Sequence, residues 1–129
     1  TSITKENIET AKKLHPQALV LAHPECTWDV LEMADYIGST SGIIDYTVKS
    51  EEEVFIICTE MGILYELQQK NPTKKFYSVG HRQFCPNMKR ITVEKVLDEL
   101  ENMNNQVEID ETLRIKANCA LTKMLELAK

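Results

Sequence analysis

No segment of this sequence is long and apolar enough to cross a bilayer. Its longest uninterrupted apolar runs, Ala18 to Ala22 and Val54 to Cys58, have five residues each, against the roughly 20 that a spanning helix needs. Clustered positive charge is equally scarce. No basic run exceeds two residues, and 15 Lys+Arg stand against 20 Asp+Glu for a net charge of −5. That balance argues against binding duplex nucleic acid, whose phosphates reward grouped Lys and Arg. Cysteine occurs four times, as Cys26, Cys58, Cys85 and Cys119, and no two have C-x-x-C spacing. A complete zinc site or four-cysteine cluster inside the chain is therefore not expected. With no charged start and apolar centre of a secretory signal after Thr1, reduced thiols in a cytoplasmic setting are the expected state. The absence of an initiator Met at Thr1 is what a fragment of a longer protein would show.

What is present is enough for one core. The chain has 129 residues, 43% of them hydrophobic, so residues 1–129 are expected to form a single domain that is stable without disulfides. Ile3, Thr4 and Ile8 combine an N-cap with a hydrophobic staple and predict a helix from Thr4 to Leu14, stopped by His15-Pro16. Ala18 to Ala22 is too short for a helix and reads as a strand covered on both faces. Val30, Leu31, Ala34 and Ile37 then recur at helical spacing and predict a helix over 27–37, ended by Gly38. A further short helix carries Ile43, Ile44, Thr47 and Val48, capped by one of the hydroxyl residues of Ser39-Thr40-Ser41. Val54 to Cys58 is a second buried strand, followed by a helix with Leu64, Leu67 and Gln68 that stops at Lys70-Asn71-Pro72. Phe76 to Val79 is a third strand candidate. Thr92 and Asp110 cap two last helices. Short buried strands alternating with helices predict an α/β fold with a parallel sheet in a layered sandwich.

Three polar segments, His23-Pro24-Glu25-Cys26, Cys58-Thr59-Glu60 and Cys85-Pro86-Asn87, each follow a strand candidate at intervals of about 30 residues, a unit length for such a fold. In a parallel sheet they share the carboxyl edge, where open α/β folds bind ligands. His23 and Glu25, separated by one proline, place two proton-exchanging groups at a strand-to-helix turn. The plainer alternative is that Glu25 favours the next helix N-terminus and His23 meets a carbonyl. Ser39, Thr40 and Ser41 suit either an anion at a helix N-terminus or simple capping, and Glu60 reads as a first-turn helix carboxylate. Cys58 and Cys119 read as core residues. Cys85 differs, since it precedes Pro86 in a polar segment where backbone amides or Lys89 can support a thiolate.

Four elements in order, His23-Pro24-Glu25-Cys26, Ala34-Asp35 with Gly38-Ser39-Thr40-Ser41, Thr59-Glu60-Met61-Gly62, and Cys85-Pro86-Asn87-Met88-Lys89, resemble the C-terminal part of the quinolinate synthase family over nearly the whole chain. The resemblance implies a three-layer αβα sandwich with a short parallel sheet, one of three similar domains around a central cavity. Residues 107–129 would be the terminal strand and helix segment, and the two upstream domains would be missing partners. It implies a transferase of NAD biosynthesis that condenses iminoaspartate with dihydroxyacetone phosphate to quinolinate on a 4Fe-4S cluster. Cys85 would be one of three cluster ligands, the other two lying outside this chain, so that the chain alone holds no cluster and is catalytically incomplete. His23 and Glu25 would face substrate as catalytic and binding residues, and Ser39 and Thr40 would hold an anionic group. Two other readings compete: a non-catalytic α/β domain that binds an anion or metabolite, and an interaction domain that self-associates.

Overall fold

A computed structural model describes residues 3–80 and 83–127. The chain is organised as two compact units, residues 1–89 and 90–129. The first opens with α1 (Lys5–Leu14), whose N-cap Thr4 accepts from the Asn7 amide while the Asn7 side chain returns the bond to the Thr4 amide. The reciprocal pair satisfies two otherwise orphaned donors, and Ile3 and Ile8, both buried, close the staple around it. Then come β1 (Leu19–Ala22), α2 (Trp28–Leu31), β2 (Tyr36–Ile37), α3 (Thr40–Lys49), β3 (Val54–Cys58), α4 (Ile63–Lys70) and β4 (Lys75–Ser78).

The four strands form one sheet in the order β2-β1-β3-β4, with every neighbouring pair parallel. Alternate residues point to opposite faces, and both faces are covered. On one, Val20, Ala22, Ile56 and Cys58 pack with Ile8 and Ala11 of α1 and Val30 of α2. On the other, Leu21, Phe55 and Ile57 pack with Ile43 and Ile44 of α3 and Ile63 and Leu67 of α4. The unit is therefore the three-layer α/β sandwich that the alternation of strands and helices predicts. Buried polar groups beside the second face are satisfied: Thr47 Oγ1 donates to the Ile44 carbonyl at 2.8 Å and accepts from Asn71 Nδ2 at 3.3 Å.

One predicted helix is corrected. The 27–37 segment is helical only over Trp28–Leu31, and Tyr36–Ile37 is an edge strand paired with β1. Asp35 accounts for the change of course, because its Oδ2 accepts the Val20 amide at 2.7 Å and so continues the β1–β2 ladder with a side chain. A buried strand amide must find an acceptor, and this one draws the chain out of the helical path. Cys119 also departs from expectation, since it is exposed.

The second unit holds α5 (Val93–Asn102) and α6 (Glu111–Leu127). Thr92 caps the first by accepting from the Lys95 amide, and Asp110 caps the second by accepting from the Leu113 amide. Residues 103–110 between them form neither strand nor helix. Val93, Val96, Leu97 and Leu100 make one apolar stripe of α5. Among the described residues no helix is long and apolar enough to cross a membrane.

Asp35→Ala is expected to cost about 1–3 kcal/mol, the penalty for stranding a buried strand amide, while Asp35→Asn keeps an acceptor and costs less. Urea denaturation of both variants at one pH checks this. Equal losses would mean that the carboxylate is not the ladder's last rung.

Candidate functional site at the carboxyl edge of the sheet

Because all four strands are parallel, their carboxyl ends lie on one edge in the order β2-β1-β3-β4. The sequence leaving each end runs, in that order, Gly38-Ser39-Thr40, His23-Pro24-Glu25, Thr59-Glu60-Met61, and Val79 onward to Cys85. The candidates for substrate and metal chemistry are thus on connections of a single edge, the one on which open α/β folds carry ligands.

The His23 turn is fastened to the middle of the sheet. The Cys58 carbonyl accepts both the His23 amide and the Cys26 thiol, each at 3.3 Å. Cys26 is therefore a buried anchor of the turn. The Glu25 amide donates to His23 Nδ1 at 3.3 Å, which makes Nδ1 the acceptor and leaves the proton of the neutral ring on Nε2. Glu25 Oε2 lies 3.7 Å from Nδ1, with the Glu25 side chain 83% exposed and that of His23 26%. With Nδ1 used as the acceptor, Nε2 is the ring atom suited to donate to a carboxylate. The Glu25 carboxylate stands beside the ring and faces solvent.

At the β2 exit Ser39 is the N-cap of α3, with Oγ accepting the Gly42 amide at 3.2 Å and lying 3.1 Å from Ser41 Oγ. Thr40 is the first helical residue and is exposed. Capping and anion binding, alternatives in the sequence, are compatible here, because the cap uses one hydroxyl and leaves the Thr40 side chain open at a helix N-terminus. Tyr36 shapes this loop. A Cβ on Gly38 would stand 2.6 Å from Tyr36 Cε1, and one on Gly42 would stand 3.0 Å from Tyr36 Oη. The absence of a side chain at Gly38 leaves room for the ring, which stacks on Tyr46 at 4.3 Å, to lie against the loop.

At the β3 and β4 exits Glu60 accepts the Gly62 amide through Oε2, and its Oε1 is 3.2 Å from Lys89 Nζ. Glu60 is therefore a loop residue ahead of α4, and the Lys89 ammonium is committed to a carboxylate. Cys85 is half-buried, and its carbonyl accepts the Lys89 amide at 3.2 Å. Among the described residues no three His, Cys, Asp or Glu side chains gather as a metal site. Cys85 is the one cysteine among the described residues of the segment that leaves β4.

Sequence reasoning did not find Cys26 as an anchor, Tyr36 as the shaper of the Ser39 loop, or Gln83, which ties the Cys85 segment to β3 and β4. Their partners are mostly backbone atoms that only strand pairing brings near, so no local pattern marks them. Two surface hollows, one beside Cys119 and one beside Lys95, are lined by residues of the second unit and include none of the edge residues.

Fold and edge together define an α/β domain that presents polar, proton-exchanging and thiol groups on one side of a parallel sheet. Comparison with known proteins sharpens that class. The family described as quinolinate synthetase A protein matches residues 1–126. The quinolinate synthase of Caldicellulosiruptor bescii is 51% identical over 97% of this chain, that of Caldicellulosiruptor saccharolyticus 48% over 98%, and quinolinate synthase 2 of Methanosarcina acetivorans 46% over 98%. The chain belongs to the quinolinate synthetase A family. It spans about two fifths of the length of these relatives, 41%, 42% and 41% in turn.

Burial pushes the Cys58 thiol up to about 12 from 9.0, and raises that of Cys26 as well. The unfolded chain releases the Cys58 proton first, so its contribution to stability is complete below pH 9 and shrinks as pH rises from about 9 towards 12, by about 1.4 kcal/mol per pH unit. The stability advantage of wild type over Cys58→Ala should accordingly narrow above pH 9. Denaturant titrations of the pair at pH 8 and pH 10 measure it, and an unchanged difference would contradict the burial argument.

Proposed function

We propose that this edge is one wall of a quinolinate synthase active site, completed by the rest of a longer protein. The observation that carries the reading is the parallel register β2-β1-β3-β4. It puts the Ser39 loop, the His23 turn and the Cys85 segment on one edge of a domain whose relatives bear the quinolinate synthase name. The substrates would be iminoaspartate and dihydroxyacetone phosphate, and the product quinolinate, a precursor in NAD biosynthesis.

In this reading Cys85 would hold one iron of a 4Fe-4S cluster, and two further thiolates would come from segments outside this chain. Three thiolates for four irons leave one iron as a Lewis acid for substrate oxygen. The chain's own residues do the rest. His23 donates from Nε2 to a carboxylate and orients it. Glu25 takes a proton from carbon in the eliminations that follow condensation and delivers it to the departing hydroxyl, which leaves as water. Thr40, with Ser39 beside it, holds an anionic group through its hydroxyl and the positive end of α3. Glu60 and Lys89, paired with each other, brace the two loops and take no part in proton transfer. That the chain spans only about two fifths of its relatives' length supports a longer protein.

In the full-length protein Cys85→Ser is expected to abolish both cluster and quinolinate formation. Glu25→Gln should keep the cluster and lower kcat by about 100-fold or more, the usual weight of a general base. Cys58→Ala and Cys119→Ala should retain the cluster. Iron and sulfide analysis alongside product formation across these variants is the check. A Cys85→Ser protein that keeps cluster and activity would sink the reading, as would a cluster-free wild type that still turns over.

A further inference from the structure

Gln83 stands two residues before Cys85, is 6% exposed, and uses its side-chain amide at both ends. Its Oε1 accepts the Val79 amide at 2.9 Å. Its Nε2 donates to the Ile57 carbonyl at 2.8 Å and to the Thr59 carbonyl at 3.2 Å. Its backbone carbonyl accepts the Met61 amide at 2.6 Å. One residue thus binds the last turn of β3, the loop that leaves it, and the segment that leaves β4. A buried amide with all these partners has one orientation, because rotating it would set oxygen against oxygen. Farther along, Lys89 ties the same segment to the β3–α4 loop through Glu60. The stretch bearing Cys85 is therefore pinned on both sides of the cysteine.

We infer that Gln83 is a positioning residue for Cys85, fixing where its thiol stands at the carboxyl edge. The inference deepens the reading of Cys85 as a cluster ligand and rests on it. Groups that orient a ligand govern how well a metal group is held, although they do not touch it. A thiolate on a short loop would otherwise sample many positions, and a cluster shared among distant segments tolerates little displacement. The amide supplies the rigidity that the loop, with Pro86 its only stiff residue after the cysteine, does not have on its own.

The test uses the full-length protein with Gln83→Met, which keeps the side chain's length and removes its hydrogen bonds. Thr47→Val serves as a control that removes buried hydrogen bonds elsewhere in the same unit. Two rates are read: alkylation of Cys85 by iodoacetamide in the iron-free protein, and loss of iron to a chelator from the reconstituted protein. Gln83→Met should speed both by about tenfold or more, and Thr47→Val should leave both within about twofold of wild type. If Gln83→Met does not accumulate folded, Gln83→Glu, which keeps the oxygen facing Val79 and loses the donated bonds, is read by the same thresholds. Either rate staying within about twofold in the Gln83 variant, or an equal rise in Thr47→Val, overturns the inference. Cys85→Ser separates the two ideas: if it keeps its iron, the ligand reading fails, and the alkylation rate alone decides whether Gln83 fixes the loop.

Discussion

The parallel pairing of β1 with β3, from Leu19↔Phe55 to Ala22↔Cys58, is the constraint on which the rest of the domain depends. It aligns the ends of both strands, so that the Cys58 carbonyl reaches the His23 amide and the Cys26 thiol together. It divides Val20 and Ile56 from Leu21 and Phe55, and so decides which helices cover which face. A slip of one residue would reverse every side chain on one strand and unseat the turn that carries His23.

Around that ladder the polar groups are used economically. The side chains of Asp35, Cys26 and Gln83 each meet backbone atoms at or beside strand ends. Asp35 meets a strand amide that would otherwise be buried without a partner, while Cys26 adds a second donor to a carbonyl that the His23 amide already uses. The result is an edge whose connections are held by side chains from beneath, while Glu25 and Thr40 remain open above. Rigid support under solvent-facing chemistry is what a site needs if its groups are to meet a substrate without rearranging.

Much of this was legible in the sequence because local and global signals agree. Ile3, Thr4 and Ile8 announce α1, and the five-residue runs ending at Ala22 and Cys58 announce the central strands. The strand ends then located His23 and Cys85 on one edge, which Ser39 joins through the unforeseen strand β2. The signal failed between 27 and 37, where Val30, Leu31, Ala34 and Ile37 imitate a helix. A single carboxylate on the Val20 amide outweighed that periodicity. It failed at Cys119 because helical spacing does not say whether a face finds a partner. Gln83 and Tyr36 were illegible for a third reason: their value depends on atoms that are distant in sequence or on a loop whose course only the fold defines.

The central claim is that the carboxyl edge of this sheet faces both the cluster and the reacting molecule. An anaerobic crystal structure of the full-length protein bound to quinolinate tests it most directly. The account predicts the Cys85 sulfur on iron, with His23 and the Ser39-Thr40 hydroxyls against the carboxylates of the product. Iron held without Cys85, or product lodged away from this edge, would contradict it.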